Sequence, residues 1–205
     1  MPPKVKNTFN IPDIDMIENI INAAKDTNME LPILLAVWLG FRASEICGLM
    51  WDCVDYDNKT ITIKRAKVAA GKDIVLKTPK TYAGSRSLNC PDYILDLIKQ
   101  QKTDNEYVVP MTGALIYKRF SSLLKKNNIQ HCRFHDLRHA NASIMLMLNI
   151  PDKYAMERIG HATNNMLQTI YQHTFKSVGN KYNDTINTYF KNILSHENIT
   201  QKDIL

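Results

Sequence analysis

No stretch of this 205-residue sequence approaches the roughly 18 consecutive apolar residues of a membrane-spanning helix. The opening Met1-Pro-Pro-Lys-Val-Lys lacks the apolar segment of a secretory signal. Both absences lead to the expectation of a soluble intracellular protein. Cysteine is scarce, and Cys47, Cys53, Cys90 and Cys132 form no C-x-x-C pair and have no histidine at zinc-ligand spacing. Neither a disulfide framework nor a metal site is suggested, and the thiols read as reduced and partly buried. A G-x-x-x-x-G-K phosphate loop, an internal repeat and a low-complexity segment are also missing.

What is present is a chain that is 44% hydrophobic, enough for one core, with a net charge of +6 and a pI near 9.1. The charge is unevenly spread. From Lys64 to Arg86, seven basic residues face the single acid Asp73, and from Lys118 to Arg138, six face Asp136. Such runs suit a polyanionic partner. Lys64, Arg65, Lys67, Lys77, Arg86 and Arg133 are the candidate contacts to a nucleic-acid backbone.

Hydrophobic spacing predicts a mostly helical fold with one strand-rich insertion. Ile14, Ile17, Ile20 and Ile21 recur at helical spacing behind a capping Asp13, and 31–39 reads as a buried helix opening on Pro32. Thr60-Ile-Thr-Ile-Lys, Asp73-Ile-Val-Leu-Lys and Ser85-Arg-Ser-Leu read as three strands of one antiparallel sheet. Further helices are expected from Ser44, from Pro91, and over 114–126, 135–148, 152–159, 166–171 and 181–194. The expected class is α+β, predominantly α-helical, with a small three-stranded antiparallel sheet at one edge.

Six side chains suited to phosphate chemistry punctuate this frame. Arg42 sits in an elbow made by Gly40, with Glu45 three residues on to orient its guanidinium. Lys80 lies between two candidate strands, where a lysine can protonate an oxygen leaving group; Lys77 is its rival. In His135-Asp-Leu-Arg-His139, His135 and Arg138 share a face near a helix start, and His139 reads as structural. His161 follows Gly160, and Tyr171 comes ten residues later. A phenol needs a base or strong electrostatics to attack a phosphate at neutral pH, and His135, His161 and Lys80 are the available proton handlers.

The ordered blocks Gly40-Phe-Arg-Ala-Ser-Glu-Ile with Leu49-Met-Trp-Asp52, Pro79-Lys-Thr-Tyr-Ala-Gly-Ser-Arg86, His135-Asp-Leu-Arg-His, Ile159-Gly-His and Tyr171-Gln-His resemble the tyrosine recombinase, or phage integrase, family. The resemblance spans roughly 13–175. It implies the catalytic-domain fold of that family and a site-specific DNA recombinase of a phage or mobile element, working in the bacterial cytoplasm or nucleoid. It also implies the roles. Arg42 and Arg138 clamp the scissile phosphate, His135 and His161 assist proton transfer and hold it, Lys80 protonates the 5′ oxygen, and Tyr171 becomes joined to the 3′ phosphate. The arginines and imidazoles supply the charge that a metal ion would otherwise bring, and the covalent phosphotyrosine conserves the bond energy, so no metal, ATP or other cofactor is expected. A type IB topoisomerase and a noncatalytic DNA-binding protein of the same fold are the alternatives. Phe41 departs from the smaller or aliphatic residue more usual there.

The same resemblance implies an organisation and partners. Residues 1–10 are expected to be a linker from an N-terminal DNA-binding domain, 11–175 the catalytic domain, and 176–205 a helical tail. In the tail, Ile186, Tyr189, Phe190, Ile193 and Leu194 form an apolar stripe that docks on a neighbouring protomer or folds back. The partners implied are double-stranded attachment sites, further copies in a DNA-bound tetramer with a monomer in its absence, and accessory bending or directionality proteins.

Overall fold

The computed structural model describes residues 11–71, 73–78 and 85–160. They belong to the first of two compact units, Met1–Asn164. The expected 1–10 linker, the helices at 166–171 and 181–194, and the tail lie outside the described residues.

Helix α1 (Ile14–Ala24) starts where Asp13 accepts the Met16 N–H at 2.8 Å, and it buries Ile17, Ile20 and Ala24. Ile14 lies on the solvent side of the first turn. Helix α2 (Glu30–Val37) is buried on every side, because α1, α3 (Ala43–Cys47), α4 (Asp92–Gln100) and α6 (Asp136–Met147) all pack against it. Its one acid, Glu30, is held by the Asp26 N–H at 2.7 Å and the Tyr93 hydroxyl at 2.6 Å. Helix α5 (Gly113–Lys126) is capped by Thr112, and α7 (Asp152–Ile159) runs from Pro151 to Gly160. A single apolar cluster links α1–α6 to the small sheet.

The strands pair differently from the expected single sheet. A three-stranded antiparallel sheet does form, in the order β1 (Val54–Asp55), β2 (Thr60–Thr62), β5 (Ser87–Asn89), with Ile61 opposite Val54 and Leu88. Asp73–Lys77 (β4) instead pairs with Ala66–Ala70 (β3) in a separate hairpin around Gly71. β3 packs against α3, where a Cβ on Gly48 would lie 3.0 Å from both the Arg65 carbonyl and the Lys67 nitrogen, so glycine at the end of α3 leaves room for this hairpin. β4 is exposed along its length, with Ile74, Val75 and Leu76 among the exposed apolar residues.

Candidate active site

The site is built around a left-handed turn at Gly40, where φ is +69°. A Cβ there would meet Ile159 Cγ2 at 2.8 Å and Asn141 Oδ1 at 3.0 Å, so only glycine fits both the conformation and the space. Asn141 of α6 donates to the Val37 and Trp38 carbonyls at 2.9 and 3.1 Å, satisfying the end of α2. The Phe41 N–H returns to the Leu35 carbonyl at 3.0 Å. The chain therefore leaves α2 in a fixed direction and places Arg42 as the N-cap of α3.

Glu45, in the first turn of α3, is the electrostatic centre. The Arg42 Nη1 donates to its Oε1 at 2.6 Å, and the Arg42 backbone N–H donates to its Oε2 at 2.9 Å. The two Nη groups of Arg86 donate to the same two oxygens at 3.2 and 3.1 Å. Arg138 Nη1 stands 4.0 Å from Oε2. Among the described residues, three guanidinium groups share this one carboxylate, two positive charges in excess.

The end of α7 receives the same three arginines. Its last carbonyls have no partner within the helix. Arg86 Nε donates to the Arg158 carbonyl at 2.8 Å, Arg138 Nη2 to the Ile159 carbonyl, and Arg42 Nη2 to the Gly160 carbonyl at 3.0 Å. Arg138 Nη1 also donates to the Gly40 carbonyl. Gly160 closes the helix in the left-handed conformation, φ +65°.

Burial divides the three. The Arg42 side chain is one-third exposed at 33%, that of Arg86 only 5%, and Arg138 is fully buried. Burial alone would raise the Glu45 carboxyl, but Arg86, Arg42 and Arg138 outweigh it and hold it below its ordinary value. Burial and the neighbouring Arg42 pull Arg138 down to about 9, still cationic at neutral pH. His135, exposed at the N-cap of α6, is lowered by partial desolvation and by Arg138, which leaves a neutral imidazole able to accept a proton. Its ring stands edge-on to His139, centroids 4.8 Å apart. Desolvation pushes the buried His139 down to about 4, and then the proximity of His135 adds to it.

The structure thus brings together Arg42, Glu45, His135 and Arg138 from α3 and α6. Lys80, His161 and Tyr171 lie outside the described residues. The candidate backbone contacts are differently engaged. Lys64 and Arg65 both bind Asp52, with Arg65 making a bidentate fork at 2.8 and 2.9 Å. Lys67 lies 3.9 Å from the Tyr107 ring centroid. Arg133 is tied to Asp136 at 2.8 Å, and Lys77 is exposed at the end of β4. Arg86, expected on the surface, is instead inside the site. Asn141 and the α7 carbonyls escaped the sequence reading, Asn141 because its helix-end role depends on a contact 103 or more residues away.

The helical domain with its small antiparallel sheet has the catalytic-domain fold of the tyrosine recombinases. Residues 13–177 match the phage integrase family, and the chain belongs to it. It is 32% identical over 161 residues to the integrase of Staphylococcus phage L54a, covering 65% of this chain and 44% of that protein. The Tn1549 transposon integrase, solved with transposon right end DNA, superposes with a TM-score of 0.67 at 19% identity, covering 83% of this chain and 64% of that one. A lambda integrase tetramer bound to a Holliday junction gives 0.60 at 18%, covering 82% and 49%. The chain spans about half the length of the curated relatives it matches.

Proposed function

We propose that this chain carries out the strand cleavage and rejoining of a site-specific DNA recombinase of the phage or mobile-element integrase type. The observation that carries the reading is the convergence of Arg42, Arg86 and Arg138 on Glu45, two positive charges in excess, with His135 lowered by desolvation and then by the nearby Arg138 and Arg42. A phosphodiester brings one negative charge, and its pentacoordinate transition state approaches two. Charge fixed in advance for that state is what phosphoryl transfer rewards.

In this reading the Tyr171 oxygen attacks the scissile phosphorus and the bond to the 5′ oxygen breaks. The tyrosine proton passes to His135, and Lys80 or its rival Lys77 protonates the departing oxygen. Arg42, Arg138 and His161 hold the nonbridging oxygens. The 3′-phosphotyrosine keeps the phosphodiester energy, so a 5′ hydroxyl from either duplex can reverse the step without ATP. The Tn1549 and lambda integrase structures, solved on DNA, support double-stranded DNA and further copies of this chain as the partners.

The test is covalent trapping on a nicked suicide duplex bearing a candidate attachment site, in EDTA. A denaturation-resistant band linked through a peptide containing Tyr171 is expected. Tyr171→Phe keeps noncovalent binding and loses the band; a band formed by that variant would refute the nucleophile.

A further inference from the structure

We infer that Arg86 is a positioning residue of the phosphate clamp: it anchors the Glu45 carboxylate and the end of α7, and through both it sets the direction of the Arg42 guanidinium. That Arg42 holds a phosphate rests on the recombinase reading; that Arg86 holds Arg42 rests on contacts alone.

Arg86 is turned inward, onto the protein. Its Nε, Nη1 and Nη2 are all engaged, on the Arg158 carbonyl and the two Glu45 oxygens, and its side chain is almost fully buried. Each Glu45 oxygen is shared between Arg86 and Arg42. Oε1 takes Arg86 Nη1 and Arg42 Nη1, and Oε2 takes Arg86 Nη2 and the Arg42 backbone N–H. A second route runs through α7, where Arg86 fixes the Arg158 carbonyl two residues before the Gly160 carbonyl that Arg42 grips. A third contact completes the frame. The Arg86 guanidinium lies 5.8 Å from the ring centroid of Phe41, the residue preceding Arg42. A planar fork on a carboxylate is a geometric constraint as well as a charge. Without it, Glu45 keeps only the ligand it is meant to orient, with Arg138 at the 4.0 Å limit.

Three other cations surround this pair: Arg42 and Arg138 face Glu45, and Arg42 and Arg158 face Arg86. Losing Arg86 removes the cation that makes the bidentate contact with Glu45.

The experiment compares the 205-residue chain with Arg86→Met, Arg86→Lys and the double variant Arg86→Met/Glu45→Gln. Carbon NMR of the Glu45 carboxyl should show its titration midpoint rising by about one pH unit or more in Arg86→Met. An unmoved midpoint overturns the proposal. Noncovalent DNA affinity and its salt slope should stay at wild-type values; a slope reduced by about one would make Arg86 a phosphate contact and overturn it too. Adduct formation at saturating suicide duplex should fall about a hundredfold in Arg86→Met, the scale of a small misplacement of a reacting group. In the Glu45→Gln background the same change should cost little more, and full additivity of the two losses would refute action through Glu45. Arg86→Lys keeps the charge without the fork. It should titrate near wild type yet remain slow; Arg86→Gln, which removes the charge and keeps a polar side chain, supplies the titration readout if Arg86→Met does not fold. A wild-type chain that forms no adduct removes the recombinase reading, and the titration still decides the role of Arg86.

Discussion

Adding one methyl group at Gly40 tests the geometry on which the site depends. In Gly40→Ala the residue must keep φ +69°, which costs an L-residue about 1–2 kcal/mol. The new Cβ also arrives 2.8 Å from Ile159 Cγ2 and 3.0 Å from Asn141 Oδ1, both in packed surroundings. Overpacking of this kind costs about 1–3 kcal/mol. Reduced freedom of the unfolded chain returns about 0.4–1 kcal/mol. The net loss is about 3 kcal/mol, which at a urea m-value of about 2 kcal/mol/M moves the midpoint down by about 1.5 M. Gly71 supplies the control, since it has the similar φ of +65° and nothing within 4 Å of an added Cβ. Gly71→Ala should lose only about 1 kcal/mol, the conformational cost alone. Equilibrium urea unfolding of both variants, with unchanged m-values, separates overlap from backbone strain. If Gly40→Ala is as mild as Gly71→Ala, the close approach of α2, α6 and α7 at this turn is refuted.

Asn141→Ala removes the buried donor to the Val37 and Trp38 carbonyls and should cost about 2–3 kcal/mol in urea unfolding; a loss below about 0.5 kcal/mol would contradict the capping role. His139 titrates near 4 when folded against about 6.5 unfolded, so its contribution is fully present above pH 6.5 and is lost as pH falls toward 4. The gap amounts to about 3 kcal/mol at about 1.36 kcal/mol per unit, with His135 acting in the same direction. Stability measured from pH 7 to 4.5 should decline with that slope, and His139→Gln should flatten most of it; an unchanged slope in the variant would assign the effect elsewhere. Asp52→Asn breaks an exposed pair and should change stability by less than about 1 kcal/mol. It frees Lys64 and Arg65, so affinity for DNA should rise and the salt slope steepen, whereas weaker binding would mean that Asp52 aims these cations at the backbone.

Local signals were easy to read where a residue acts on its own neighbours. Asp13 caps α1, and α7 spans the expected 152–159. The Arg42–Glu45 pair follows from a three-residue spacing, and the family blocks mark Arg42, His135 and Arg138. What escaped depends on contacts between distant segments. β1 is two residues long and shows no period. β3 reads Ala-Lys-Val-Ala-Ala, poor in the branched and aromatic residues that announce a strand, and forms because Gly48 admits it against α3. Arg86 stands in a basic run and so reads as a surface contact; only the position of Glu45, 41 residues earlier, makes it internal. A row of backbone carbonyls leaves no mark in side-chain identity at all.

That row makes the length of α7 a coded quantity. Each residue added to or removed from an α-helix turns its end by about 100° and shifts it by about 1.5 Å. An insertion or deletion anywhere in Asp152–Ile159 would therefore swing the 158, 159 and 160 carbonyls away from all three arginines at once. Exposed positions such as Tyr154 are free to change in identity, but the count of residues between Pro151 and Gly160 is not. Diversification of this protein by insertion should spare this helix, which works as a gauge block between the Gly40 elbow and whatever Gly160 leads into.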